Sequence, residues 1–223
     1  MTQARPPLSK LAPFALLALS LTGCALFASP GAAPPSLFTL APWPESELPS
    51  QLAAQTLEIA PPGARPGFDG SRMAYVTRPY EIQYFARHQW VESPARMLAP
   101  LLGDAITRNG SFQALQGAES APPALRLETE IVALQQEFTE HPSRVRFALE
   151  ARLLDGVERR LLAVAVFEAV EPSPSEDPYG GVIAANRAVA RVLDQVAKWC
   201  VENGTGRSGA NSTRDPVEGG RAH

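Results

Sequence analysis

Two segments in the second half of the chain alternate apolar and polar residues with the two-residue period of a half-buried β-strand. The apolar phase of the first segment holds Leu125, Leu127, Thr129 and Ile131. The second segment, from Arg144 to Leu153, alternates most cleanly, and Asp155-Gly156 predicts a turn after it. The run from Leu161 to Ala169 is apolar on both phases apart from Glu168, which predicts a central strand covered on both faces.

Shorter strands are predicted earlier in the chain, at residues 56–59, 72–77, 80–85 and 112–115. Pro79 separates the second of these from the third, so the two form either a hairpin or successive edge segments. A short apolar stretch at residues 37–40 could add an edge strand.

Two helices are predicted from the 3.6-residue period. The first follows Ser93-Pro94, a serine N-cap with proline at the first helical position, and ends at Asn109-Gly110. Pro100 either kinks this helix or marks the start of its regular part. The second spans residues 181–201, and its stripe of valine and alanine favours packing on a sheet over binding to a membrane. This order of elements predicts a single-domain α/β (α+β) sandwich, in which two helices cover a mainly antiparallel sheet.

The N-terminal residues have the pattern of an export signal. Arg5 and Lys10 precede an apolar run, Leu11 to Leu21, that is too short to span a bilayer as a helix but suits a signal peptide. The next residues complete Leu21-Thr22-Gly23-Cys24, which resembles the lipobox of bacterial lipoproteins. That resemblance implies cleavage between Gly23 and Cys24 and acylation of Cys24 by chains such as palmitate. An ordinary signal peptide with an unrelated cysteine is the alternative.

The chain therefore divides into four predicted segments. Residues 1–23 are a lipoprotein-type signal peptide, and residues 24–54 are a tether rich in Pro, Ala and Ser. Fully extended at about 3.1 Å per residue, its residues 25–50 would reach roughly 80 Å from the bilayer. Residues 55–203 form the folded domain, and residues 204–223 are predicted to be a disordered tail because they lack an apolar period.

Charge and motif content exclude several classes of function. A net charge of −3 over 223 residues argues against a nucleic-acid partner. His88, His141 and His223 lack the spacing of a metal site, and the glycine pattern at residues 204–209 has no strand before it. Glu128 and Glu130 have arginines nearby and are not predicted to be catalytic. We therefore predict no catalytic residue, no metal and no cofactor, and hence no enzyme.

The cysteine content leaves one thiol in the mature protein. If Cys24 is acylated, only Cys200 remains, so no intramolecular disulfide can form. Cys200 lies on the apolar face of the last predicted helix, which favours a buried small hydrophobe over a reactive thiol.

Aromatic residues concentrate before the first predicted helix. They are Tyr75, Tyr80, Tyr84, Phe85 and Trp90. They serve either the core or a groove that faces a partner, since Tyr and Trp are enriched at protein interfaces. In the second case Tyr80, Tyr84 and Trp90 are the candidate partner contacts.

These segments together resemble the ABC-type transport auxiliary lipoproteins, the family of paraquat-inducible protein C. The resemblance covers residues 56–201 and rests on the lipobox and on loose aromatic and apolar positions. These are Arg78-Pro79-Tyr80-Glu81-Ile82-Gln83-Tyr84-Phe85, Trp90, Pro94, Phe112, Ala185, Ala188, Leu193 and Trp199. Pro100 and the long polar tail depart from the usual pattern of the family.

The resemblance implies a non-enzymatic adaptor in the periplasm. Such a protein is held on the outer membrane by its acyl chains, with the inner membrane as the alternative. It would serve an ABC transporter that moves lipids or other hydrophobic molecules between membranes, and its partner would carry a mammalian-cell-entry (MCE) domain. It could form a homo-oligomeric ring. The competing hypothesis is a stand-alone envelope lipoprotein that binds the cell wall or assists outer-membrane assembly.

Overall fold

The computed structural model describes residues 34–42, 55–116 and 123–204. The chain divides into two compact units, Met1–Pro34 and Pro35–His223, and every described strand and helix lies in the second. The predictions about the signal peptide, about Gly23 and Cys24, and about the tail beyond Gly204 fall outside the described residues.

The described elements follow one another in a simple order. The strands are β1 (Ser36–Phe38), β2 (Gln55–Ile59), β3 (Gly63–Ala64), β4 (Arg72–Val76), β5 (Gln83–Trp90), β6 (Phe112–Gln116), β7 (Leu125–Glu137), β8 (Arg144–Asp155) and β9 (Leu161–Pro172). The helices are α1 (Pro94–Asn109), between β5 and β6, and α2 (Pro178–Gly204), after β9.

The sheet is organised around β7. On one side β7 pairs antiparallel with β8, which pairs antiparallel with β9. On its other side β7 pairs in turn with the short strands β2, β3 and β4, all parallel to it. β6 lies beside β2, β5 lies beside β4, and β1 lies beside β5. The predicted α+β sandwich is thus confirmed. Its long strands are antiparallel, while most of its short strands pair in parallel.

The core lies between the sheet and the two helices. α2 packs across β8 and β9 and contacts α1, which packs on β6. The predicted stripe of α2 is buried, with Val189, Val192 and Val196 fully shielded from solvent. The alternation in β7 and β8 is also confirmed, because Leu127, Ile131, Phe147 and Leu149 point into this core. Helix packing on the sheet therefore accounts for both apolar patterns.

Helix α1 begins and ends where the sequence predicts. Pro94 occupies its first turn after the N-cap Ser93, and Gly110 ends it with a left-handed φ of 76°, a conformation that glycine adopts without strain. Of the two alternatives for Pro100, the structure shows a helix that begins at Pro94 and continues through Pro100. Pro100 has no amide hydrogen to donate to the carbonyl group of Arg96, four residues earlier. Both residues are exposed, so water can reach this turn of the helix.

The folded domain begins earlier than the predicted boundary at residue 55. Ser36–Phe38 pairs in parallel with β5, and Leu40 is buried in the core. The amide of Ala41 donates a hydrogen bond to Asn186 Oδ1 at 2.6 Å. The edge strand considered for residues 37–40 is therefore present, as a strand of three residues, and the chain up to Ala41 packs on the domain although its composition is that of the predicted tether.

Two strand predictions need correction. The strand placed at residues 80–85 is β5, Gln83–Trp90, because Tyr80 adopts a left-handed φ of 68° that cannot continue a strand. The apolar run from Leu161 is not a central strand. β9 is the last strand beyond β8, and the outward side chains of Val164, Val166 and Val170 are exposed.

A polar cluster that runs from exposed Asp177 to buried Gln136 and Ser143 fixes the start of α2. Asp177 Oδ1 accepts hydrogen bonds from the amide of Gly180 at 2.7 Å and from the Ser175 hydroxyl at 2.9 Å, which hold the pKa of Asp177 below its usual value. The Gln136 amide group donates to Ser143 Oγ and to the Asp177 carbonyl. A Cβ on Gly181 would lie 2.3 Å from Gln136 Oε1, so a larger residue there would have to displace the Gln136 side chain and its hydrogen bonds.

Candidate functional site

The loop between β4 and β5 presents Tyr80 to solvent. Tyr80 is fully exposed, and its left-handed backbone costs on the order of 1–2 kcal/mol for a residue other than glycine. Neither the exposure nor the strain helps the chain to fold. Strained, exposed aromatic residues of this kind are a feature of binding sites.

Polar contacts at the base of this loop hold Tyr80 in place. Arg78 precedes Tyr80 and Glu81 follows it, and these two side chains form an ion pair. The Gln83 amide group donates to Glu81 Oε1 at 2.8 Å and to Thr77 Oγ1 at 3.3 Å. These contacts hold the backbone of the loop that carries Tyr80, which lowers the entropy that a partner must overcome on binding.

An open depression of about 380 Å³ lies beside the Tyr80 ring. Its walls come from the loop and from the adjoining end of β7, and include Val76, Pro79, Ile82, Gln135, Glu137 and Thr139. Ile82 is itself exposed, so the loop offers both an aromatic and an aliphatic side chain. We refer to Tyr80, Ile82 and this depression as the Tyr80 site. It has the mixed apolar and polar character of a protein-binding surface.

The other two candidate partner contacts lie deeper in the domain. Tyr84 is half-buried, its hydroxyl donates to the Gly67 carbonyl at 3.0 Å, and the Arg72 guanidinium lies 3.8 Å from the centre of its ring. Trp90 is only 4% exposed and belongs to the core. Of the three candidate partner contacts, Trp90 therefore belongs to the core and Tyr84 holds the loop that contains Gly67. Tyr80 is the one that faces solvent.

Tyr75 and Phe85, two of the aromatic residues singled out from the sequence, belong to a cluster whose other rings come from Phe38, His88 and Phe138. Phe85 is its centre, 4.5 Å from the Tyr75 ring and 6.1 Å from the His88 ring. His88 stacks on Phe38 from β1, and Phe138 makes edge contacts with Tyr75 and Phe85. These residues come from β1, β4, β5 and the end of β7. No local period could have shown that they meet, and the cluster accounts for His88 as a packing residue.

The outward face of β7 and β8 carries ion pairs around a second open depression of about 370 Å³. Arg126 contacts Glu58 and Glu128, and although burial lowers its pKa, these hydrogen bonds prevail and raise it above the ordinary value. Glu130 and Glu150 lie opposite each other in register, and Arg65 bridges them at 3.4 and 3.6 Å. Each of these carboxylates has a guanidinium partner, the environment of surface ion pairs and not of a general acid or base.

Glu176 and His141, two further titratable residues, lie at the protein surface. Glu176 lies 3.7 Å from the exposed ring of His141. Within residues 34–42, 55–116 and 123–204, no group of His, Cys, Asp and Glu side chains is arranged to hold a metal ion.

Neither α1 nor α2, the helices of the described part of the chain, has the length and hydropathy that crossing a membrane requires.

Cys200 is buried on the inward face of α2, and burial raises the pKa of its thiol to about 12. Because the thiolate is the reactive form, we expect a maleimide at pH 8 to leave Cys200 unmodified in the folded protein and to label it after unfolding in urea. Mass spectrometry of the labelled protein measures both states. Rapid labelling of Cys200 without denaturant would contradict this prediction.

Comparison with known proteins places this fold in a family. A family model described as ABC-type transport auxiliary lipoprotein component matches residues 38–197, from β1 to α2. No curated protein matches the chain. The crystal structure of protein XCC0632 from Xanthomonas campestris is similar, with 20% identity, a TM-score of 0.66, and coverage of 78% of this chain and 99% of that chain. The crystal structure of an uncharacterized protein is 11% identical, with a TM-score of 0.61 and coverage of 74% and 98%. These structures share the fold.

Proposed function

Because this chain belongs to the family of ABC-type transport auxiliary lipoprotein components, we propose that it is the periplasmic, non-enzymatic auxiliary subunit of an ABC system that carries lipids or other hydrophobic molecules between membranes. Its direct partner in this proposal is the MCE-domain protein of that system. The observation that carries the proposal is the family match, which extends over nearly the whole described fold.

The chemistry of the domain supports an adaptor. Its buried thiol is held protonated, and the glutamates around the depression on the outward face of β7 and β8 are paired with arginines. What the domain offers to another molecule is shape and apolar surface, which are the means by which proteins bind each other.

The Tyr80 site is the proposed docking surface for the MCE-domain protein. A tyrosine buries about 150–250 Å² when it enters a partner's pocket, and Tyr is enriched among the residues that dominate binding energy. The loop that carries Tyr80 is already braced by contacts among Arg78, Glu81 and Gln83. A partner that accepts this ring gains its burial without ordering the loop.

Membrane attachment through Cys24 is the other part of the proposal. Because β1 begins at Ser36, the chain between the acylated cysteine and the domain can reach at most roughly 40 Å. The domain would therefore stay closer to the bilayer than a tether ending at residue 54 allows. The outer membrane is the proposed site of attachment, since Ala25 follows Cys24, whereas lipoproteins of the enterobacterial type that are retained in the inner membrane carry aspartate at that position.

Affinity capture from detergent extracts tests the partner and the site together. We expect the full-length protein to recover an MCE-domain protein, and Tyr80→Ala to reduce the recovered amount at least about tenfold, as expected when a central aromatic contact is lost. Tyr179→Ala is the matched control, because Tyr179 is also strongly exposed but lies at the start of α2. Equal losses from both variants would exclude the Tyr80 site. Failure of the unaltered protein to recover any MCE-domain protein would overturn the partnership itself and favour a stand-alone envelope lipoprotein.

A further inference from the structure

The arginines of the sheet fall into two groups. On β7 and β8 each outward arginine forms an ion pair with a glutamate, and these arginines are Arg126, Arg144, Arg146 and Arg152. Arg72 at the start of β4 and Arg87 on β5 are exposed, and within the part of the chain that the structure describes neither of them has a carboxylate partner. The side of the sheet that ends at β1 therefore carries two cations that the domain itself does not neutralise.

Exposed aliphatic side chains accompany these cations. Gln89 on β5 lies between Leu37 on β1 and Arg72 on β4, and cross-strand neighbours share a face of the sheet. The next residue, Trp90, points into the core, so this shared face is the outward one. Val91 follows Trp90 and points outward again. Leu37 and Val91 are 59% and 49% exposed.

Both arginines are placed close to these aliphatic residues. The Arg72 guanidinium lies 3.8 Å from the centre of the Tyr84 ring, which holds it at the surface. Arg87 immediately precedes the first residue of β5 that pairs with β1. We refer to Leu37, Val91, Arg72 and Arg87 as the β1-edge patch. Cations beside exposed aliphatic side chains suit a bilayer surface, where cations meet lipid phosphates and the aliphatic groups enter the headgroup boundary.

The length of chain before β1 indicates which surface is closest to the anchoring residue. Residues 25–35 are all that separate Cys24 from Ser36, the first residue of β1. The other apolar outward surface, the exposed valines of β9, lies five strand spacings from β1, roughly 24 Å. Neighbouring strands turn by about 20–25°, so across five spacings the outward face rotates by roughly 100°. A flat bilayer therefore cannot contact both surfaces, and the β1-edge patch is the one beside the end of the tether.

We propose that the β1-edge patch lies against the membrane that holds Cys24, with Arg72 and Arg87 at anionic lipid phosphates and with Leu37 and Val91 in the headgroup boundary. This inference rests on the proposed acylation of Cys24. Two cations and two aliphatic side chains are too few to hold the domain on a bilayer by themselves. A short tether makes the contact intramolecular, at an effective concentration on the order of millimolar, so that weak binding is enough.

The proposed contact also fixes where the Tyr80 site would lie. Arg72 begins β4, and Val76, which lines the depression beside Tyr80, ends it. Four residues of strand separate the two by roughly 13 Å. A partner docked at the Tyr80 site would therefore be held beside the bilayer without competing for the β1-edge patch.

Quenching by a nitroxide-labelled lipid tests the contact in the full-length lipidated protein. Single variants Leu37→Cys, Val91→Cys and Val166→Cys are labelled with a fluorescent maleimide and reconstituted into vesicles of phosphatidylethanolamine and phosphatidylglycerol. All three side chains are exposed, so the substitutions leave the core intact, and the buried Cys200 thiol takes no label. We expect lipid to quench the probes on Leu37→Cys and Val91→Cys. The probe on Val166→Cys, the matched control on β9, should stay unquenched.

Flotation of the same vesicles separates failure of this inference from failure of the proposed anchoring. Protein that floats without quenching of Leu37→Cys and Val91→Cys, or with equal quenching of Val166→Cys, would overturn the membrane contact and leave attachment through Cys24 intact. Protein that does not float would overturn both. If added MCE-domain protein, and not lipid, shields the Leu37→Cys probe from a water-soluble quencher, the contact is also overturned and the patch belongs to that protein.

Charge reversal at Arg87 tests the electrostatic part of the contact. We expect Arg87→Glu to weaken docking of the Leu37→Cys probe by about tenfold or more, because an attraction to anionic lipid becomes a repulsion. Lys198→Glu is the matched control, since Lys198 is also exposed but lies on α2, which covers the other face of the sheet. The effect should shrink in roughly 1 M salt, where charges are screened within about 3 Å. Equal effects of the two reversals would contradict the proposal.

Discussion

Replacing Cys24 by serine is expected to move this protein from the membrane fraction to the soluble fraction. Each buried acyl methylene stabilises membrane binding by about 0.8 kcal/mol, so two or three chains hold a protein firmly, whereas no chain holds it at all. Loss of one sulfur atom should therefore abolish attachment and not merely weaken it.

Fractionation of envelopes and labelling with radioactive palmitate measure this change directly. The unaltered protein should incorporate the label and sediment with membranes, and Cys24→Ser should do neither. Cys200→Ala is the appropriate control, because the Cys200 thiol is buried and too weakly acidic to be modified. A Cys24→Ser protein that still sediments with envelopes would remove the basis for the proposed location.

Replacing Phe147 by alanine is expected to lower the free energy of unfolding by about 3–5 kcal/mol. Phe147 is fully buried, and its neighbours in register are Leu134 on β7 and Ala169 on β9. Removal of the ring leaves a cavity where the long strands meet α2, and the small side chain of Ala169 cannot fill it. Total stabilities of 5–15 kcal/mol are typical, so this loss would lower the melting temperature by about 10 °C or more.

The adjacent residue provides a matched control for that experiment. Arg146 points to the other face of β8, where it pairs with Glu168 with both side chains partly exposed. Exposed ion pairs contribute about 0–1 kcal/mol, so Arg146→Ala should change stability little. Urea unfolding of both variants separates the two effects. Similar losses from the two substitutions would contradict the assignment of inward and outward faces in β8.

Sequence patterns correctly predicted the structural features that depend on a single short stretch of chain. The ends of α1 follow from Ser93-Pro94 and Gly110, because helix termini depend on backbone groups within one turn. The buried stripe of α2 follows from its 3.6-residue period, and the faces of β7 and β8 follow from alternation. For the same reason Tyr80 could be singled out as one of a few aromatic residues in a short segment.

Contacts between distant segments were beyond the reach of those patterns. The parallel pairing of β2, β3 and β4 along β7 joins residues far apart in sequence. The apolar stretch at residues 37–40 indicated a possible edge strand, but composition cannot show that this strand pairs with β5. The cluster around Phe85 gathers rings from four regions. Each of these features depends on which surfaces meet after the chain has collapsed.

The sequence by itself determined the class of fold, the faces of the long strands and of α2, and the family to which the chain belongs, because hydrophobic periodicity and short motifs are local properties. Only the tertiary structure decided that Trp90 is buried while Tyr80 projects into solvent, and that β9 ends the sheet instead of occupying its centre. The sequence shows that a side chain is apolar, but it does not show whether the folded domain buries that side chain. Exposure is therefore settled by the packing of the whole chain, and so are the two contact surfaces proposed here.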